Sequence, residues 1–195
     1  MAFGGLAAVA SYCACHKNDV FVTLSGIEID EAMEVGRKIY QSSQERGLRD
    51  YRKFKGNGWV DPDGERLQAL GSVAERAAAK ALGLEWTAWY DTFKRPDLHH
   101  NIEVRMMGVN RYGLRVYDRD HDSKRVVGIV IERGREAGPY RIPGWINAVH
   151  GKRPEYLMDP LGRGQPVFAV PQYRLHHLSV LMDLIEAEQR NEVLS

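Results

Sequence analysis

The sequence predicts a mixed α/β (α+β) fold: a single mixed sheet flanked by helices, with an N-terminal helical extension. Three observations carry that expectation. Two stretches, about Glu31 to Glu45 and Glu65 to Leu82, repeat apolar residues at helical spacing. From Trp86 onward the chain breaks into short β-branched and aromatic runs separated by polar or glycine-bearing turns. A last amphipathic stretch, about Leu175 to Glu188, then follows. With 195 residues there is room for one good core and one appended element, hardly for two full domains. The natural division is residues 1–64 as a strand, helix and loop extension and 65–195 as the core, one compact unit overall.

Val20 to Leu24 is β-branched and aromatic enough to be a strand. Ser25 or Asp30 can cap the helix that follows, with Ala32, Val35, Ile39 and Tyr40 on its inner face and Gly47 as its stop. The second helix carries a stripe of Leu67, Leu70, Ala74, Ala77, Ala78 and Ala81 and ends at Gly83. Its small residues let neighbouring backbone approach, so it should lie tight against a sheet. Strands are expected at Ile102 to Met107, Gly113 to Tyr117, Val126 to Glu132, Tyr140 to Ile146 and Val167 to Val170. Leu178, Leu181, Met182 and Ile185 form the inner face of the closing helix.

Composition removes several functional classes. An apolar share of 44% with 27% charged residues is that of an ordinary soluble globular protein. A net charge of +1 excludes a chain-wide basic glove, so any nucleic-acid contact must be a local patch. Cys13 and Cys15 cannot build a disulfide framework, which fits a reducing cytosol, and Cys13-x-Cys15-His16 lacks the second ligand pair of a zinc site. No apolar run approaches the ~20 residues of a membrane span. Met1 to Ala14 has no basic residue ahead of its apolar stretch, which argues against a secretory signal.

The chemistry concentrates around Pro96-Asp97, Glu103-Val104-Arg105 and the helical Glu75. A hard divalent cation takes carboxylate oxygens together with phosphate oxygens and water, at roughly 2.0–2.1 Å. Glu103 and Arg105 share one face of a strand at roughly 6.6 Å spacing, so one can sit on a metal and the other beside a phosphate. Each residue also has a plainer account. Glu75 lies at the border of the apolar stripe and can pair with a nearby basic side chain. Asp97 follows proline as turn residues do, and Glu103 with Arg105 can be an ion pair on a solvated strand face. The combination in this order shifts the balance.

A helix glutamate, an aspartate and then Glu-x-basic on the next strand resembles the PD-(D/E)XK nuclease superfamily, whose fold centres on a mixed sheet flanked by helices. The segment Gly71-Ser72-Val73-Ala74-Glu75, with Ala79-Lys80 and Leu82-Gly83, is similar to one that recurs in small phage-encoded and environmental proteins. There it precedes Pro-Asp, a Glu-Val-Arg or Glu-Val-Lys strand and a Gly-Trp strand, as in Gly144-Trp145-Ile146 here. A late Val-Pro-Gln before a leucine-bearing helix also matches, at Val170-Pro171-Gln172 and Leu175, and the likeness covers about Val20 to Leu181.

The resemblance implies a phage-associated, metal-dependent nuclease working in the host cytoplasm. Asp97 and Glu103 would ligate Mg²⁺ or Mn²⁺, with Glu75 as a further ligand or water-positioner. Its partner would be nucleic acid, DNA ahead of RNA, with a homodimer left open. The motif usually ends in lysine; Arg105 stays protonated and cannot accept a proton from water. It can still hold a phosphate oxygen by two-point contact. The alternative is a catalytically inactive relative that grips nucleic acid or a host protein. The short gap between Asp97 and Glu103 demands a tight hairpin, which His99-His100-Asn101 must make.

Further signals are weaker. Arg49, Arg52, Lys53 and Lys55 alternate with Tyr51, Phe54 and Trp59, a pairing of phosphate-neutralising and base-stacking side chains. An exposed loop with its aromatics folded back on the core accounts for it equally well. Asp118 to Asp122 opens like a calcium loop but fails at its sixth position, Ser123, and its twelfth, Ile129, so a solvated turn is expected. Gly162-Arg163-Gly164 lacks the Gly-Lys-Ser/Thr context of a phosphate loop, and His176-His177 carry no assigned chemistry.

Overall fold

Ser25 starts the first helix, α1 (Gly26–Glu45), through a capping box: its hydroxyl accepts from the Glu28 amide at 3.2 Å and its own amide donates to Glu28 Oε2 at 2.7 Å. The computed structural model describes residues 19–46, 63–87, 96–107, 113–132, 134–159 and 166–193. Ahead of α1 lies the short strand β1 (Val20–Val22). The second helix, α2 (Gly64–Leu82), ends where Gly83 turns left-handed at φ 67°, as the sequence predicts. Gly36 on α1 faces α2 so closely that an added Cβ would stand 2.4 Å from the Ala69 Cα. Lys80 of α2 reaches Glu28 at 2.7 Å, and that contact, with the capping hydrogen bonds, pulls the Glu28 carboxyl down to about 2.

Strands β2 (Ile102–Met107), β4 (Arg125–Val130) and β5 (Tyr140–Asn147) join β1 in a four-stranded sheet of order β1-β5-β4-β2. β2 runs parallel to β4, while β4–β5 and β5–β1 are antiparallel. One face buries Ile102, Val104, Val127, Ile129 and Tyr140 against the alanine-rich side of α2 and against Leu178, Leu181 and Ile185 of α4 (Leu178–Val193). Small side chains on α2 bring it close to the sheet, which is the packing its composition dictates.

The expectation of a single sheet is not met. β3 (Leu114–Val116), β6 (Leu157–Met158) and β7 (Val167–Val170) form a second sheet of order β3-β7-β6. Leu114, Val116 and Val170, with Ala148 of the short helix α3 (Ala148–Gly151), cover the other face of the main sheet at Met107, Val126, Val130 and Ile146. Gly113, at φ 71°, makes the departure possible: a Cβ there would meet the Val170 carbonyl oxygen at 2.3 Å. Within residues 19–46, β1 pairs with β5 and α1 packs on α2. The result is a mixed α/β arrangement of three layers: helices, main sheet, small sheet.

Candidate active site

Asp97 and Glu103 are joined by the hairpin that the sequence demands. Leu98 donates to the Ile102 carbonyl at 3.1 Å, and the turn between them sets both His100 and Asn101 at φ 59°. β2 is an outer strand, and the Asp97 carboxylate folds back on it to accept the Val104 amide at 2.7 Å. Alternation along β2 turns Ile102 and Val104 to the helices and Glu103 and Arg105 to the opposite face. That face is not solvated as the plain account of the pair required. Glu103 is only 9% exposed, with Arg105 and Lys124 on its two oxygens.

Three carboxylates meet at this edge. Glu75, from the middle of α2, is half-buried and makes no ion pair among the described residues. Burial and then the charge of Asp97, with a smaller contribution from Glu103, push its carboxyl up to about 8 against the pull of the nearby Trp86 indole. Asp97 is pushed up to about 7, first by burial and then by Glu103, although the Val104 amide, Arg105 and Lys124 oppose the rise. Two acids thus hold protons near neutrality because burial, and then a neighbouring carboxylate, disfavours their charged forms. The Trp86 N–H is buried and closes no hydrogen bond of good geometry.

Glu103 is the partnered member. Arg105 Nη2 stands 2.9 Å from its Oε1, and the Lys124 ammonium, at the foot of β4, binds its Oε2. Arg105 also donates to Asp120 Oδ1 at 2.9 Å and lies over the Tyr117 ring, 4.9 Å from the centroid. Asp120 is 4% exposed and its second oxygen takes the Tyr117 amide at 2.8 Å. The turn expected to be solvated therefore buries an aspartate that aims Arg105. Lys152 in turn donates to the Asp120 carbonyl and, at 2.9 Å, to Asp122.

Lys124, Asp120 and Trp86 were not among the expected site residues. Lys124 has one signal in the sequence, its position just before a strand that could pair beside β2. Arg125 opposes Ile102 and Val126 opposes Glu103 in the parallel ladder, which sets Lys124 beside the start of β2. Arg49, Tyr51, Arg52, Lys53, Lys55 and Trp59 lie outside the described residues, as do Cys13, Cys15 and His16.

The donor set suits a hard divalent cation: carboxyl oxygens only, from three acids of which Glu75 and Asp97 would give up their protons to it. As the side chains stand, no group of three or more His, Cys, Asp or Glu among the described residues is arranged to hold a metal ion. Both oxygens of Glu103 face cationic groups, so loading requires it to release one of them. The chain matches no known protein-family model, no curated protein and no solved structure. Among the described residues no helix is long and apolar enough to cross a membrane.

Proposed function

We propose that this chain is a metal-dependent nuclease of the PD-(D/E)XK kind, hydrolysing phosphodiester bonds, DNA foremost. One observation carries the reading: three carboxylates gather at a strand edge beside two cationic side chains, and two of the three are raised toward neutral pH by crowding and burial. A protein gains nothing in stability from such a cluster; a divalent cation relieves it. Asp97 and Glu103 would hold Mg²⁺ or Mn²⁺, with Glu75 as third ligand or water-positioner. When bound, the metal would lower the pKa of a coordinated water and polarise the scissile phosphate.

The remaining work falls to the chain's own groups. Arg105, aimed by Asp120 and braced on Tyr117, is set to grip a phosphate oxygen and stabilise charge that grows in the transition state. It cannot take a proton. Lys124, just ahead of β4, would provide the ammonium that the motif usually carries two residues after its glutamate, and on leaving Glu103 it could orient the attacking water.

The test is cleavage of circular and linear duplex DNA, single-stranded DNA and RNA with Mg²⁺ or Mn²⁺, against EDTA, Glu103→Gln and Lys124→Met. Nuclease function requires cleavage lost with EDTA and in Glu103→Gln, and slowed by at least about a hundredfold in Lys124→Met. Full activity in Glu103→Gln refutes these roles. A second reading, a non-cutting relative that binds nucleic acid or a host protein, is favoured by the capture of both Glu103 oxygens by cations. No cleavage of any substrate by the folded wild-type chain would select it.

A further inference from the structure

The hairpin that carries Asp97 is sterically costly on its own. His100 and Asn101 both sit at φ 59°, a region that L-residues with side chains enter reluctantly and seldom in succession. Its support comes from two other parts of the fold. The Arg125 amide at the start of β4 donates to the Asn101 carbonyl at 3.0 Å, and the Arg125 guanidinium to the His100 carbonyl at 3.3 Å. The same guanidinium is gripped by both carboxylate oxygens of Glu188 on α4, one of them at 3.0 Å. Glu188 also meets His100 Nδ1 at 3.0 Å. The side chains of His100 and Arg125 are mostly buried, at 13% and 16% exposure, so the pairing is held in one arrangement. Asn101 is tied separately, its side-chain amide donating to Ser123 Oγ at 2.7 Å.

We propose that Glu188 is a positioning residue: through Arg125 and His100 it clamps the Asp97 hairpin, so that docking of the C-terminal helix sets the affinity of the site for its cation. The cation part of this rests on the function proposed above; the clamp itself does not. Asp97 is three residues before His100 and has no rigid element of its own, being held to β2 by its bond to the Val104 amide. Releasing Glu188 leaves Arg125 free to swing away from the His100 carbonyl, and the turn then relaxes towards right-handed backbone. Groups that orient metal ligands from behind typically change metal affinity by about 10–100-fold when removed.

The Val104 amide reports directly on Asp97. It faces the outer edge of β2, where the Asp97 carboxylate is its acceptor, so its hydrogen exchange reads whether Asp97 is seated. The experiment compares the full chain with its Glu188→Gln variant, measuring amide exchange by NMR and Mn²⁺ affinity by calorimetry. Expected in the variant are faster exchange at Val104 with Val127, in the middle of the sheet, unchanged, and Mn²⁺ affinity lower by about tenfold. Equal exchange at Val104 in both proteins, or acceleration everywhere alike, overturns the clamp. Faster exchange at Val104 with no Mn²⁺ binding by the wild-type chain supports the clamp and overturns the metal reading instead. His100→Asn, which keeps a residue tolerant of the left-handed turn and removes the ring contact to Glu188, should reproduce the effect in smaller measure. It decides the matter if Glu188→Gln does not fold.

Discussion

Cation binding should expel protons, and the number expelled is set by Glu75 and Asp97. Burial, and then the neighbouring carboxylates, hold their carboxyls at about 8 and about 7, so at pH 6 both are mainly protonated in the metal-free protein. A divalent cation binds the deprotonated forms. Each group must therefore lose its proton on binding, and the apparent affinity falls by about tenfold per pH unit below each value. Between pH 8 and pH 6 this amounts to roughly two to three orders of magnitude, with close to two protons released per ion at the lower pH. The sign for stability is opposite in the free protein. A carboxyl raised in the folded state binds its proton more tightly there than in the unfolded chain. Stability is then fully present below the ordinary carboxylate range and is lost as pH rises through about 7 and about 8. Metal-free protein should therefore melt at a lower temperature at pH 8 than at pH 6, whereas the metal-induced rise in Tm should be larger at pH 8. Calorimetric titration with Mg²⁺ or Mn²⁺ at pH 6, in two buffers of different ionisation enthalpy, counts the protons from the difference in apparent heat. Identical heats in both buffers, together with an affinity unchanged between pH 6 and pH 8, would refute the account of the cluster.

Three other outcomes follow from the same geometry. Asp97→Asn keeps an oxygen for the Val104 amide and removes the repulsion of Glu75, so it should raise the metal-free Tm at pH 8 and remove the metal-induced shift; a lower Tm at pH 8 would show that the carboxylate charge is not a burden. Gly36→Ala should cost about 1–3 kcal/mol, because the Cβ would land on α2 backbone that cannot move aside, and urea unfolding reads the loss directly. Arg52→Glu with Lys53→Glu should weaken nucleic-acid binding and flatten the slope of affinity against salt, and an unchanged slope in fluorescence titration counts against that segment as a phosphate contact.

Those parts of the fold that depend on near neighbours were legible in the sequence. Ile102 to Met107 and Val167 to Val170 are strands at the expected bounds, Gly83 ends α2, and Ser25 caps α1, because alternation, chirality and capping act over a few residues. His99-His100-Asn101 could be assigned the hairpin from chain length alone. The second sheet was not legible. Leu114 to Val116 and Val167 to Val170 read only as strands, and nothing local says that they pair with each other instead of extending the main sheet. The burial of Glu103 was not legible either. Alternation gives the face a side chain takes, but burial depends on what another part of the chain lays over that face.

The same limit kept Lys124 out of the expected set of site residues. Along one strand, Glu103-Val104-Arg105 offers arginine where lysine is usual, and the substitution weighs against catalysis. Across the sheet the balance differs. β2 and β4 run parallel with Val126 opposite Glu103, so Lys124, which precedes the ladder, sits near enough to bind the Glu103 carboxylate. A site needs a charge at a point in space and is indifferent to which strand delivers it. On the function proposed above, Arg105, bound by Asp120 and stacked on Tyr117, would grip phosphate, and the Lys124 ammonium with its flexible stem would attend the water. If Arg105→Lys preserves cleavage while Lys124→Arg abolishes it, the proton-handling role belongs to Lys124; the reverse pattern would assign it to position 105.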